Sequence, residues 1–136
     1  MANKIYPKYK KAAMSGGANV NLLVGTVKVI AIHVASYTYS DGHEFLADIP
    51  SGARISTSGA LTSKSVSDLA AFQSANGRYD AVTGAEIEAV VMIIDTGADA
   101  TSRLVAYFDT GISGLPVTPA GASYNDIPDP AGWFVL

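Results

Sequence analysis

Cysteine is missing altogether, so neither a disulfide framework nor a thiolate metal cluster can brace this chain, and its stability rests on packing and assembly. Charge is sparse as well: 15% of the 136 residues are Asp, Glu, Lys or Arg, against about 25% in an average soluble domain. Much of the surface is then Ser, Thr, Gly and Ala, or is covered by a partner. Apolar runs such as "VIAIHVA" fall far short of the roughly 20 residues of a transmembrane helix. The early lysines do not lead into the apolar stretch and cleavage site of a secretory signal, so synthesis in a cytoplasm is expected. No Gly-x-Ser-x-Gly and no phosphate-binding Gly-rich loop occurs, which leaves nucleophilic and phosphate chemistry without a foothold.

The residues present point to one all-β domain behind a basic arm. Lys4, Lys8, Lys10 and Lys11 precede any acidic residue, leaving five basic against twelve acidic residues beyond them. An acidic body repels a phosphate backbone, so direct nucleic-acid binding is not expected. Residues 1–17 read as the arm, with one short helix in "IYPKYKKAAMSGG": Pro7 suits a first helical position and Gly16-Gly17 a stop. Residues 18–136 read as strands. "TVKVIAIHVASYTYS" sets Val27, Val29, Ala31 and His33 on one face and Lys28, Ile30, Ile32 and Val34 on the other, which predicts a central strand covered on both sides. "HEFLADIPSG" predicts a turn or short helix, "ARISTSGALTSKSVS" a half-exposed hairpin, and "DLAAFQSANGRYDAVTG" fits helix or strand about a turn at Asn76-Gly77. "EIEAVVMIID" and "SRLVAYFDTG" are the clearest strands. Four prolines, at 116, 119, 128 and 130, carry the closing segment over the surface until "WFVL" offers a last strand. Short strands separated by Gly, Pro, Asn and Asp predict an antiparallel β-sandwich, jelly-roll-like.

Asp-Thr-Gly occurs twice, at 95–97 and 109–111, and the first follows "VVMII" as the active-site strand of a retropepsin-like aspartic protease does. That chemistry needs two carboxylates close enough to share a proton. The two motifs stand too near each other for two lobes. Only residues 98–136 remain for the flap and the supporting segment of a dimeric enzyme using Asp95, and no such segment is found there. Asp bonds its own backbone and Gly accepts positive φ, so "DTGADATS" is the loop of a hairpin and "DTGISG" a strand exit. His33, and His43 beside Glu44 with Asp41 and Asp48 nearby, match no ligand motif. Asp95, Asp99 and Asp109 resemble no calcium loop.

Over most of its length, in "IYPKYKKAAMSGGANVNLLVGTVKV", "YTYSDGHEFLADIPSGARISTSGALTSKSV" and "AVTGAEIEAVVMIIDTGADATSRLVAYFDTGISGLPVTPAG", the chain resembles small virion structural proteins of tailed bacteriophages. It departs from that pattern in "FQSANGRYD" and "SYNDIPDPAGWFVL". The resemblance implies a non-enzymatic head decoration or cement protein without cofactor or metal. It also implies a homodimer or homotrimer bound to the phage major capsid protein on the capsid exterior. Tail, baseplate or neck is the alternative location. Linked contacts on a repeated lattice raise effective concentration, and the residues expected at the interface are Ile5, Tyr6, Lys8, Tyr9, Lys10 and Lys11 of the arm with Trp133 and Phe134, whose strand could extend a neighbour's sheet.

Overall fold

Ala89 to Ile94 is apolar at every position, a pattern that demands cover on both faces, and each of these residues is buried. The computed structural model describes residues 3–110, 112, 115–126 and 132–135. In chain order these form β1 (Lys4–Ile5), α1 (Pro7–Met14), β2 (Thr26–Ile32), β3 (Arg54–Thr57), β4 (Ser65–Val66), β5 (Ala71–Gln73), β6 (Gly77–Tyr79), β7 (Ala89–Asp95), β8 (Arg103–Phe108), β9 (Tyr124–Asp126) and β10 (Phe134–Val135). The protein is all-β and antiparallel with one short N-terminal helix.

Strands β1, β8, β7, β2 and β3, in that order, make the main sheet; β10, β5 and β4 make a second; β6 and β9 pair separately. A jelly roll would divide eight strands equally between two sheets, so the described pairing differs from that pattern in detail. Register sets which residues share a face. Ala31, Val90 and Phe108 align on one side of the main sheet and Ile30, Val91 and Tyr107 on the other. Phe108 meets Trp133, the residue before β10, at a ring separation of 5.7 Å, whereas Tyr107 meets Tyr39 at 5.5 Å and Tyr37 at 6.4 Å. Both faces are thus dry, and each fully buried aliphatic or aromatic side chain there contributes about 1.5–3 kcal/mol.

The helix and the β7–β8 hairpin form as expected. Pro7 opens α1, Tyr9 and Ala12 turn inward, and Gly16 at φ +70° lies just beyond its end. In the hairpin loop Asp95 Oδ1 accepts from Gly97 N at 3.0 Å, with Gly97 at φ +87°.

Two expectations need correction. The central strand stops at Ile32, because Glu88 accepts the backbone N–H of Val34 and contacts the His33 ring, turning the chain away from the sheet. "ARISTSGALTSKSVS" is not a hairpin. Its first half follows β2 as far as Leu61, through Ser58 N to Val29 O and Leu61 N to Val27 O, and its second half joins β5 in the other sheet. Within "WFVL", Phe134 and Val135 pair with Phe72 and Ala71 of the same chain, which occupies one edge of β10 and leaves β10 outermost in its sheet among the described residues. Gly132 makes that pairing possible: a Cβ there would sit 2.7 Å from Phe72 O. The turn expected at Asn76-Gly77 joins two strands that belong to different sheets.

Candidate interaction surface

The basic arm is built into the body. Strand β1 pairs with β8, Tyr6 N donates to Val105 O at 3.0 Å, and Asn3 Oδ1 accepts from Asp109 N at 2.8 Å and Thr110 N at 3.0 Å. Tyr6 is 0% exposed, Tyr9 3% and Trp133 5%. These three expected interface residues therefore belong to the core, held there by their own polar ends: Tyr9 Oη bonds Val20 O and Trp133 Nε1 bonds Ser74 Oγ. Lys8, Lys10 and Lys11 are exposed on α1, while Ile5 and Phe134 are half-buried.

The fold brings the two chain ends together. A groove of about 250 Å³ runs between Asn3, Lys4 and Ile5 on one side and Trp133, Phe134 and Val135 on the other, over Phe108. A second, of about 220 Å³, lies among Tyr9, Leu22, Leu23, Val66, Phe72 and Phe134. Phe134 lines both. Leu23 is 49% exposed, Val66 48% and Val135 60%, and β4 and β10 are the outer strands of their sheet among the described residues. The surface is apolar and edge-bearing, with Lys4 at one side. Leu23 and Val66 escaped the sequence expectations, although three consecutive apolar residues at 22–24 just before a strand were a signal.

The first Asp-Thr-Gly is a structural turn. Asp95 Oδ2 pairs with Lys28 Nζ at 2.8 Å, and its other oxygen takes Gly97 N and Ser102 Oγ. The Lys28 ammonium, followed by the Gly97 N–H, holds the Asp95 carboxyl below the usual carboxylate range. An acid–base dyad needs the opposite of one member. Asp99 pairs with Arg54 at 2.8 Å instead of joining Asp95. His33 bonds Glu88 and Glu86 O, while His43 Nδ1 meets Tyr37 Oη at 2.8 Å, so the two histidines serve different places. No group of three or more metal-ligating side chains occurs among the described residues.

Beyond Tyr37 lies a feature the sequence did not single out: a cleft of about 440 Å³ walled by Tyr37, Tyr39 and Tyr107 and edged by Glu86, Glu88 and Asp109. Tyr37 Oη also meets Tyr6 Oη at 2.8 Å, and burial pushes the Tyr37 phenol up to about 12 and the Tyr6 phenol further. The alternation "SYTYS" was the available hint.

No protein-family model matches the chain, and no curated protein matches it. Among the described residues no helix is long and apolar enough to cross a membrane.

Proposed function

We propose that this chain is a non-enzymatic structural protein of a tailed-bacteriophage virion, a decoration protein that binds the outside of the head shell as a homo-oligomer and stabilises it. It is made in the host bacterial cytoplasm, and its partner is the major capsid protein. The observation that carries this reading is the pair of apolar grooves sharing Phe134, with exposed Leu23, Val66 and Val135 beside them and Lys4 on the rim. A charge-poor surface of this kind is suited to dock on protein, and its outer strands can pair with an extended segment of the shell. The second sheet lying on the main one supports treating the fold as an unequal β-sandwich.

Leu23→Asp with Val66→Asp tests it. Both sites are half exposed, so the fold should lose no more than about 0.5 kcal/mol at each. On a shell, withdrawing two apolar side chains and burying two carboxylates should cost at least about 3 kcal/mol, more than a hundredfold in affinity. Co-sedimentation of the pure protein with DNA-filled heads reads the loss. Unchanged binding, or immunolabelling of intact virions on the tail alone, would overturn the assignment.

A further inference from the structure

The tyrosine cleft and the basic helix are complementary halves that form no ion pair with each other within one molecule among the described residues. The cleft has aromatic walls and a carboxylate edge, and no Lys or Arg stands among its described lining residues. Glu88 is engaged with His33 and the Val34 N–H, whereas the Glu86 carboxylate is exposed and forms no hydrogen bond or ion pair among the described residues, its charge acting only from nearby on the His33 ring. On α1, Lys8, Lys10 and Lys11 are exposed and likewise form no ion pair among the described residues. Tyr9 and Ala12 fix the helix against the body, and in this arrangement none of the three lysines pairs with Glu86 or with Glu88, whose ion-pair partner is His33. An ammonium group lying over tyrosine faces beside a carboxylate gains both cation–π and ion-pair attraction.

We infer that the cleft receives the lysines of α1 from a second copy of this chain. The charge division argues for this occupant over a foreign one: four lysines lie within the first eleven residues, where no acidic residue occurs, and the acidic surplus lies wholly beyond them. The two halves also stand side by side. Tyr6, the residue before α1, packs on Tyr39 of the cleft wall with ring centroids 4.9 Å apart. A patch and its complement placed next to each other on one surface close reciprocally about a two-fold axis, each helix entering the other copy's cleft. This deepens the proposed lattice binding by assigning the copy-to-copy contact to one surface and leaving the Phe134 grooves to the shell.

Sedimentation equilibrium on the free full-length chain, without shells, tests it. The protein should self-associate, more weakly at about 0.5 M than at about 0.05 M salt, because exposed charge pairs are screened. Lys8→Glu with Lys11→Glu should weaken self-association at least tenfold, and so should Glu86→Lys. Mixing these two variants should restore a mixed oligomer, since the helix of each variant then meets a cleft carrying the opposite charge at position 86. Far-UV circular dichroism checks that each variant is folded. A wild-type chain that stays monomeric, an oligomer indifferent to both substitutions, or two weakened variants that fail to recover when mixed would each overturn the inference. Leu23→Asp with Val66→Asp should leave self-association intact, so failure of shell binding and failure of this contact are separately visible.

Discussion

Replacing Tyr6 by alanine should damage the whole molecule, although Tyr6 stands within the first dozen residues. The side chain is 0% exposed, its ring packs on Tyr39 at 4.9 Å, and its hydroxyl meets Tyr37 Oη at 2.8 Å. Emptying a fully buried aromatic site costs about 3–5 kcal/mol. Little is added for the stranded Tyr37 hydroxyl, which keeps His43 Nδ1 at 2.8 Å. Tyr6→Phe keeps the volume and removes one buried hydrogen bond, a loss of about 1 kcal/mol. Total stability is expected to be about 5–15 kcal/mol, so the alanine variant forfeits a large share and melts roughly 10–17 °C lower. Urea unfolding measures both variants, with Trp133 fluorescence reporting the second layer and far-UV circular dichroism the whole chain; the two probes should give one coincident transition. An alanine variant within about 1 kcal/mol of wild type would refute the integration of residues 3–17 into the body. A phenylalanine variant as damaged as alanine would show that the hydroxyl, not the ring, is what matters.

Asp95→Asn should lower stability by about 1 kcal/mol at pH 7, because it removes the Lys28 ion pair but keeps an oxygen for the Gly97 N–H. The folded Asp95 carboxyl is held below its unfolded value of about 3.9, so its contribution is present above that value and disappears as pH falls through the folded one. Wild type and variant should therefore draw together in urea midpoint as pH is lowered below about 3.9, and a gap that stays constant as the pH falls would contradict the ion pair. His33 is raised above its ordinary value, first by the Glu86 carbonyl and then by Glu88. Its contribution is complete below about pH 6.5 and is lost as pH rises through the folded value. An NMR titration should place His33 above 6.5 and lower in Glu88→Gln; a value at or below 6.5 in wild type would contradict the contact.

Legibility in the sequence followed the range of each interaction. Pro7, Gly16-Gly17 and the turn at 95–102 act within a few residues of themselves, and all three were readable as helix start, helix stop and hairpin. The apolar runs of β2 and β7 announced burial on both faces, since no wet face tolerates them. Failures came where a strand's partner lay far along the chain. Ser65–Val66 and Phe134–Val135 both pair with the short segment 71–73, a choice that depends on Gly132 admitting Phe72 O and on Trp133 meeting Phe108. For the interaction surface, composition pointed to the lysines and to Phe134, but it could not tell a tyrosine that anchors the arm from one that meets a partner.

The sequence alone determined the class: antiparallel strands, a short basic N-terminal helix, an Asp-Thr-Gly hairpin loop, and charge divided between a basic arm and an acidic body. Periodicity, turn chemistry and net charge are properties of neighbouring residues and survive without a fold. Only the tertiary structure decided that Tyr6, Tyr9 and Trp133 are core, that both chain ends meet at Phe134, and that three tyrosines gather beside Glu86 and Glu88. Those outcomes depend on which distant segments exclude water together, and that competition is settled by packing across the sheet and not by any local pattern.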